Sequence, residues 1–96
     1  MGKLESQELD ALFRAVLSLQ TVEECYRFFE DACTIKELKD LGQRFAVARM
    51  LAAGKVYTEI GKETGASTAT IGRVNKSLLY GRDGYKIAIE RLADEA

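Results

Sequence analysis

Two kinds of side chain that can contact nucleic acid follow one another between residues 67 and 76. Short side chains come first and cations come second, in the order Ser67, Thr68, Ala69, Thr70, Gly72, Arg73 and Lys76. Hydroxyl and methyl groups on short side chains can meet base edges in the major groove, and they let the backbone come close to the DNA. The two cations can bind phosphate groups. This order of residues therefore predicts a surface that binds double-stranded DNA.

A helix would place these side chains on one face. Ile71, Val74 and Leu78 recur at helical spacing, so they would point into the protein and leave the short and cationic residues outside. Ser67 would begin this helix, because its hydroxyl can accept a hydrogen bond from an exposed amide of the first turn. Thr70 would lie at the edge between the two faces.

A shorter helix precedes this one, and the two together predict a helix-turn-helix over about residues 57–79. Ile60 would face the second helix, and Gly61 beside it has no side chain, so we expect the two helices to approach closely there. Gly65 would end the first helix in the left-handed conformation that glycine adopts without steric penalty. Ala66 would then pack in the turn. An ordinary helical hairpin is the structural alternative.

The distribution of charge along the chain fits a DNA-binding surface. The whole chain has a net charge of −1, which by itself does not indicate phosphate binding. Residues 55–82, however, contain five Lys and Arg residues and two Glu residues, which is a local charge of +3. Phosphate contact requires a local basic surface rather than a basic protein. We expect these cations to act with the helix-turn-helix, and the acidic remainder to keep non-specific affinity low.

The composition argues against a metal site and against an enzyme. The chain has no histidine and only two cysteines, Cys25 and Cys33, so a zinc site would have to be completed by carboxylates. In a reducing cytosol such cysteines behave mostly as small apolar residues. The sequence has neither a glycine-rich phosphate loop nor a pair of carboxylates at motif spacing from a candidate nucleophile. We therefore expect no metal, no catalytic residue and no enzyme activity.

Length and hydropathy indicate one globular domain that covers residues 1–96. Hydrophobic residues make up 47% of the chain and charged residues 30%, which is typical of a folded protein. No apolar run is long enough to span a membrane, and the N-terminal residues lack the pattern of a secretory signal. We expect a cytoplasmic protein. A chain this short buries a small core, so pairing with a second copy would stabilise it.

Start signals and apolar stripes predict four further helices, which makes the fold all-α with six helices. Ser6, Thr21 and Thr34 are helix start signals, and the two threonines each precede a glutamate by three residues, as in a capping box. The helix that begins near Thr34 would end at Gly54. The last helix would begin at Asp83 or its neighbour.

The four further helices each have apolar residues on one face. In chain order the stripes are Leu9, Leu12, Phe13, Val16 and Leu17; Val22, Cys25, Tyr26 and Phe29; Leu38, Leu41, Phe45, Val47, Ala48, Met50 and Leu51; and Tyr85, Ala88, Ile89 and Leu92. The third stripe is the broadest, so we expect its helix at the centre of the molecule, packed on several partners. The central helix of a monomeric bundle is the alternative.

A series of short motifs recurs in a set order over about sixty residues. They are Glu37-Leu38, Leu41-Gly-Gln-Arg44, Leu51 to Gly54, Gly65-Ala66, Ala69-Thr-Ile71, and Arg73 to Ser77-Leu78. This pattern, between residues 34 and 92, resembles the Trp repressor superfamily. The aromatic-rich first third, with Tyr26-Arg-Phe-Phe29, is similar to the Trp-repressor-like YerC/YecD branch.

The resemblance implies both an architecture and a function. The architecture is a six-helix, intertwined homodimer whose N-terminal helices interlock, with a helix-turn-helix at each end. The function is that of a sequence-specific transcription regulator, a repressor that competes with polymerase and binds a palindromic operator as a dimer.

The resemblance also implies where a corepressor would bind. Thr34, Arg44, Arg73 and Ser77 fall on positions that resemble those contacting tryptophan in the repressor. Two guanidinium groups can sandwich a flat ring, and an arginine can hold a carboxylate. The residue after the second arginine, however, is glycine in the tryptophan repressor and Val74 here. We expect this β-branched side chain to fill the space for the indole, and DNA binding to be independent of tryptophan.

Two alternative functions remain beside the DNA-binding regulator. One is a helix-turn-helix that binds a protein partner and no DNA, since fold alone does not determine function. The other is a corepressor-dependent repressor that senses tryptophan or another small ligand like an amino acid. The local charge of +3 and the short side chains at the start of the second helix favour a DNA-binding regulator.

Overall fold

The computed structural model describes residues 4–95, and within that range it has six α-helices and no strand. The helices are α1 (Gln7–Ser18), α2 (Val22–Ala32), α3 (Ile35–Ala52), α4 (Tyr57–Thr64), α5 (Thr68–Tyr80) and α6 (Gly84–Glu95). The predicted all-α, six-helix architecture is confirmed. No helix between residues 4 and 95 is long and apolar enough to cross a bilayer.

The first and third helices begin at the predicted capping residues. The Ser6 hydroxyl oxygen accepts a hydrogen bond from the Leu9 amide at 3.1 Å. At the start of α3 the capping box is complete, because the Glu37 amide donates to the Thr34 hydroxyl oxygen (3.1 Å) and the Thr34 amide donates to the Glu37 carboxylate (2.8 Å). Both amides of Thr34 and Glu37 are thereby satisfied without help from any other helix.

The second helix is capped in a slightly different way from the prediction. The Glu24 amide donates to the Thr21 hydroxyl oxygen at 3.0 Å, as the capping box requires. The Glu24 carboxylate, however, accepts from the amide of Gln20 at 2.8 Å, one residue before the threonine. The Glu24 carboxylate therefore bonds a backbone amide of the segment that enters α2 and fixes the direction of that segment.

The chain divides into two compact units between Leu38 and Lys39. In the first unit, residues 4–38, neither α1 nor α2 has a buried residue. Large apolar side chains of both stripes lie exposed, among them Leu12, Phe13, Leu17, Val22 and Tyr26. These helices are thus well capped and amphipathic, yet their apolar faces are only partly covered.

The second unit, residues 39–95, contains the buried core. Its fully or almost fully buried residues come from α3, α4, the turn after α4, and α5; they are Val47, Ala48, Ile60, Ala66, Ile71, Val74 and Leu78. Met50, Leu51, Tyr85 and Ile89 are partly buried against this cluster. The core therefore joins the helix-turn-helix to α3 and to α6.

The apolar stripe of the longest helix, α3, is buried unevenly along its length. Val47 and Ala48 are fully buried, whereas Leu41 is 48% exposed and Ile35 is also exposed. The core of the second unit is built by the short helices α4 and α5, which cover only the C-terminal half of α3. In the N-terminal half of the stripe Leu38 is half-buried and Leu41 is exposed, so this half is covered less than the C-terminal half.

A tight turn separates α5 from α6. Gly81 ends α5, and a side chain there would collide with the backbone carbonyl oxygen of Ser77. Asp83 adopts a positive φ of 64° and its carbonyl oxygen accepts from the Ile87 amide, so the predicted start at Asp83 or its neighbour is confirmed. The Asp83 carboxylate also lies 3.6 Å from the Lys86 ammonium. This turn sets the position of α6 against the core.

Candidate nucleic-acid interface

The turn between α4 and α5 has the geometry of a helix-turn-helix. Gly65 ends α4 with φ = 74°, the left-handed conformation expected of it, and its amide donates to the carbonyl oxygen of Gly61 at 2.9 Å. Ala66 follows and is buried in the core. The direction of the chain between the two helices is therefore set by one left-handed residue and one packed methyl group.

The hydroxyl of Thr64 forms two hydrogen bonds that stabilise this turn. It donates to the Ile60 carbonyl oxygen at 2.7 Å and accepts from the Ala66 amide at 3.1 Å. The backbone carbonyl oxygen of Thr64 accepts from the side-chain amide of Gln43 on α3 at 3.0 Å. Sequence reasoning missed these contacts. A threonine directly before the turn glycine was a signal for the first two, but nothing in the sequence indicates a pairing 21 residues away.

Gly61 lies close to the turn and to α5, as expected. A methyl group placed on Gly61 would lie 3.5 Å from the Ala66 carbonyl oxygen and 4.0 Å from the Ile71 side chain. These are ordinary van der Waals distances, so alanine fits between the helices. Close approach of α4 and α5 therefore requires a small residue at position 61 but does not require glycine.

The second helix of the motif begins at the predicted cap and has the predicted inward face. The Thr70 amide donates to the Ser67 hydroxyl oxygen at 3.1 Å, and the two hydroxyl groups also lie 3.1 Å apart. Ile71, Val74 and Leu78 are buried, as their spacing indicated. The inward face fixes which residues of α5 can contact another molecule.

The outward face of α5 places the short and cationic side chains together on the protein surface. Ser67, Thr68, Ala69, Arg73 and Lys76 are exposed, while Thr70 and Gly72 are half-buried at the edges of this face. A methyl group on Gly72 would have no atom of the described residues within 4 Å. We call this set of seven residues, from Ser67 to Lys76, the α5 outer face.

The cations of the α5 outer face are not neutralised by neighbouring carboxylates. Within residues 4–93, neither Arg73 nor Lys76 forms an ion pair. The two glutamates of the motif, Glu59 and Glu63, instead lie 4.0 and 3.5 Å from the Lys55 ammonium. Because both α4 carboxylates lie beside Lys55 rather than beside α5, the positive charges of Arg73 and Lys76 remain available to bind phosphate oxygens.

The four residues matched to a tryptophan site lie on different elements. Thr34 belongs to the first unit, where its hydroxyl caps α3. Arg44 on α3 and Arg73 and Ser77 on α5 are all exposed. Val74, the departure from the repressor pattern, is 3% exposed and packs in the cluster that contains Val47 and Ala48 of α3. Its side chain thus takes part in the core between α5 and α3.

The part of the chain that the structure describes has no group of three or more His, Cys, Asp or Glu residues able to hold a metal ion. Cys25 and Cys33 are both half-buried free thiols. The groups that the α5 outer face presents are hydroxyl groups, methyl groups and cations.

The fold and this surface define a helix-turn-helix protein, and comparison with known proteins specifies the family. The family model for Trp repressor protein matches residues 7–93. The chain belongs to the Trp repressor family.

Individual relatives agree with this assignment over nearly the whole chain. The protein YerC of Bacillus subtilis (strain 168), whose function is uncharacterized, is 55% identical over 94 residues, which cover 98% of this chain and 90% of YerC. A TrpR-like protein from Eubacterium eligens is 55% identical, with a TM-score of 0.91 over 95% of this chain and 94% of that one. A putative Trp repressor from Staphylococcus aureus is 48% identical, also with a TM-score of 0.91, over 95% and 91% of the two chains. The resemblance to the YerC/YecD branch is confirmed.

Proposed function

We propose that this protein is a sequence-specific DNA-binding transcription regulator of the cytoplasm, acting as a repressor. It binds a palindromic operator as a homodimer, with α5 in the major groove. The observation that carries the proposal is the α5 outer face, where short side chains at the start of a helix lie beside two unpaired cations. Residues 1–96 act together as one DNA-binding domain, with the helix-turn-helix at about residues 57–79.

Dimer formation is supported by the state of the first unit. Neither α1 nor α2 buries a residue, although both have a continuous apolar stripe. Exposed apolar patches of this extent mark interaction surfaces in soluble proteins. A second copy would cover the stripes of both α1 and α2. It would also place the two α5 helices, one from each copy, on the same side of the dimer, as a palindromic site requires.

Recognition would depend little on direct hydrogen bonds to guanine. Residues 67–70 offer hydroxyl and methyl groups but no long, forked donor such as the arginine side chain. Readout then uses thymine methyl groups, DNA shape and bridging waters. The Trp repressor itself is known for base contacts made through water.

Regulation by tryptophan is not part of the proposed function. Val74 is buried between α5 and α3, so its side chain occupies the space that a glycine would leave for an indole ring. The same side chain ties α5 to the core without a ligand. DNA binding is therefore independent of tryptophan, with Thr34 acting as the cap of α3 and Arg73 contacting phosphate.

A selection experiment tests the proposal. Full-length protein is used to enrich sequences from a random pool of double-stranded DNA, and a palindromic consensus is the expected result. Arg73→Ala should weaken binding to the selected duplex, whereas Arg91→Ala, which removes an exposed arginine from α6, should leave binding nearly unchanged. No enrichment above the starting pool would contradict DNA recognition.

A protein-binding helix-turn-helix is the second candidate, and exposed apolar residues at the end of α5 favour it. Tyr80 is 81% exposed and Leu79 is also exposed, next to the α5 outer face. In a protein-interaction module these side chains would be the main contacts. Replacing both with serine would then abolish partner binding, whereas a DNA-binding protein would keep its affinity for the selected duplex.

A further inference from the structure

One hydrogen bond joins α3 to the end of the first helix of the motif. The Gln43 side-chain amide donates to the backbone carbonyl oxygen of Thr64 at 3.0 Å, and both residues are half-buried. The two residues are 21 positions apart in the chain, whereas the capping bonds of the other helices join residues three or four apart. This bond is therefore a tertiary contact between two helices rather than a local capping contact.

The position of this contact allows it to affect the placement of α5. Thr64 is the last residue of α4, and the carbonyl groups at a helix C-terminus have no partner within the helix. The α4 helix is only eight residues long, so it is not stable alone and its end depends on tertiary contacts. The apolar core holds α4 through Ile60, one turn earlier, and leaves the last turn to polar contacts.

The Thr64 hydroxyl extends this restraint from the end of α4 to the start of α5. It links the Ile60 carbonyl oxygen to the Ala66 amide, and Ala66 is followed by Ser67, the cap of α5. A fixed path of short bonds thus runs from α3 through Thr64 to the first residue of the α5 outer face. Base contacts are productive only when the contacting groups are held within about 0.5 Å of their required positions.

We propose that Gln43 is a positioning residue for DNA recognition, and that with the Thr64 hydroxyl it holds the turn so that Thr68 enters the major groove in one fixed position. This inference rests on the proposed function, because it assigns Gln43 a role in that function without any contact to DNA. A glutamine suits the role, since its amide donates to a carbonyl oxygen without placing a charge in a half-buried site.

The test compares variants that remove the restraint with variants that do not. Gln43→Leu removes the donor, and Thr64→Val removes the hydroxyl from the other side of the turn. Thr64→Ser keeps the hydroxyl and is the conservative control. Ile89→Val is the stability control, because Ile89 is partly buried against the same core but lies on α6. All four are made in the full chain.

Two readouts are measured for each variant: affinity for the selected duplex, and hydrogen exchange of the Gly65 and Ala66 amides without DNA. Gln43→Leu and Thr64→Val should weaken affinity and speed exchange at these amides, each about three- to tenfold, which is the size of one lost hydrogen bond. Thr64→Ser and Ile89→Val should change both within about twofold, even where Ile89→Val lowers the melting temperature as much as Gln43→Leu does.

The outcomes separate this inference from the proposed function. Equal loss of affinity in Gln43→Leu and Ile89→Val at matched melting temperature would overturn the positioning role, as would unchanged exchange at Gly65 and Ala66 in both turn variants. If Gln43→Leu did not fold, Thr64→Val against Thr64→Ser would decide by the same criteria. Wild-type protein that selects no duplex would overturn DNA recognition, while faster exchange in the variants would still confirm that Gln43 holds the turn.

Discussion

The two units of the chain form helices equally well but differ in what their helices bury. In residues 4–38, α1 and α2 begin at complete side-chain caps and have continuous apolar stripes, yet bury no residue. In residues 39–95, α4 has no side-chain cap at all, yet Ile60 within it is fully buried. A side-chain cap therefore accompanies the start of α1 and α2 without burying their apolar faces, and the availability of a partner surface determines what a helix buries.

This difference has a functional meaning. The second unit has its own core, which holds the α5 outer face in place. The first unit has exposed apolar surface, which the second copy of the proposed homodimer would cover. The four predictions below each alter one side of this comparison, and they run from the largest expected effect to the smallest.

Removing Val74 should have the largest effect, because it lies in the core of the second unit. Val74→Gly should lower the free energy of unfolding by about 3 kcal/mol, through the lost side chain and the glycine within a helix. Chemical denaturation measures this loss. Calorimetric titration with L-tryptophan should show no saturable binding in wild type, whereas Val74→Gly opens a weak site. Saturable binding by wild type in the micromolar range, with a gain in DNA affinity, would show a corepressor-dependent switch.

A charge placed in the exposed apolar stripe of α1 should lower the stability of the protein almost as much. Leu17 is 83% exposed, so in a monomer Leu17→Asp would change stability by no more than about 0.5 kcal/mol. If a second copy covers the stripe, the variant should lose at least about 2 kcal/mol and dissociate. Sedimentation at micromolar concentration measures the assembly, and Ala11→Glu, on the opposite face of α1, is the control. A wild-type monomer that unfolds cooperatively would contradict the dimer.

Adding a methyl group to the α5 outer face should separate stability from function. A methyl group at position 72 meets no described atom, and glycine within a helix costs about 0.5–1 kcal/mol relative to alanine. Gly72→Ala should therefore raise stability by about that amount while weakening DNA binding, because the backbone can no longer come as close to the groove. Denaturation and binding to the selected duplex measure the two effects. A gain in both would mean that Gly72 does not face DNA.

The smallest effect concerns the cap at the start of α3, in the first unit. Hydrogen bonds from the backbone amide and then the side chain of Thr34 hold the pKa of Glu37 below its ordinary value. Because the folded-state pKa is lowered, this bonding stabilises the fold above the ordinary pKa and is lost as pH falls through the lowered one. Thr34→Ala removes only the hydroxyl, so the pKa of Glu37 should rise part of the way. NMR titration measures it, with Thr21→Ala as a control that should leave Glu37 unchanged.

Local signals in the sequence predicted most of the fold. Ser6, Thr21 and Ser67 begin helices as expected, Gly65 ends α4 in the left-handed conformation, and the face with Ile71 and Val74 is buried. Each of these features is decided by residues within one or two turns, so spacing alone reveals it.

The features that the sequence did not predict depend on distant contacts. The bond from Gln43 to Thr64 joins two helices, and no spacing rule relates residues 21 apart. Spacing also does not show that alanine would fit at position 61, because the distance between α4 and α5 is set by their whole interface. A stripe likewise shows that a face will be covered but not which surface covers it.

The central claim is that the α5 outer face reads DNA, and one measurement tests it most directly. Affinities of wild type, Thr68→Ala and Lys76→Ala are measured for the selected duplex and a scrambled duplex over a range of salt concentrations. Lys76→Ala should weaken binding to both duplexes alike and flatten the salt dependence by about one unit of slope. Thr68→Ala should weaken binding to the selected duplex only and leave the slope unchanged. The reverse pattern, or no change in either variant, would contradict the assignment of this face to DNA.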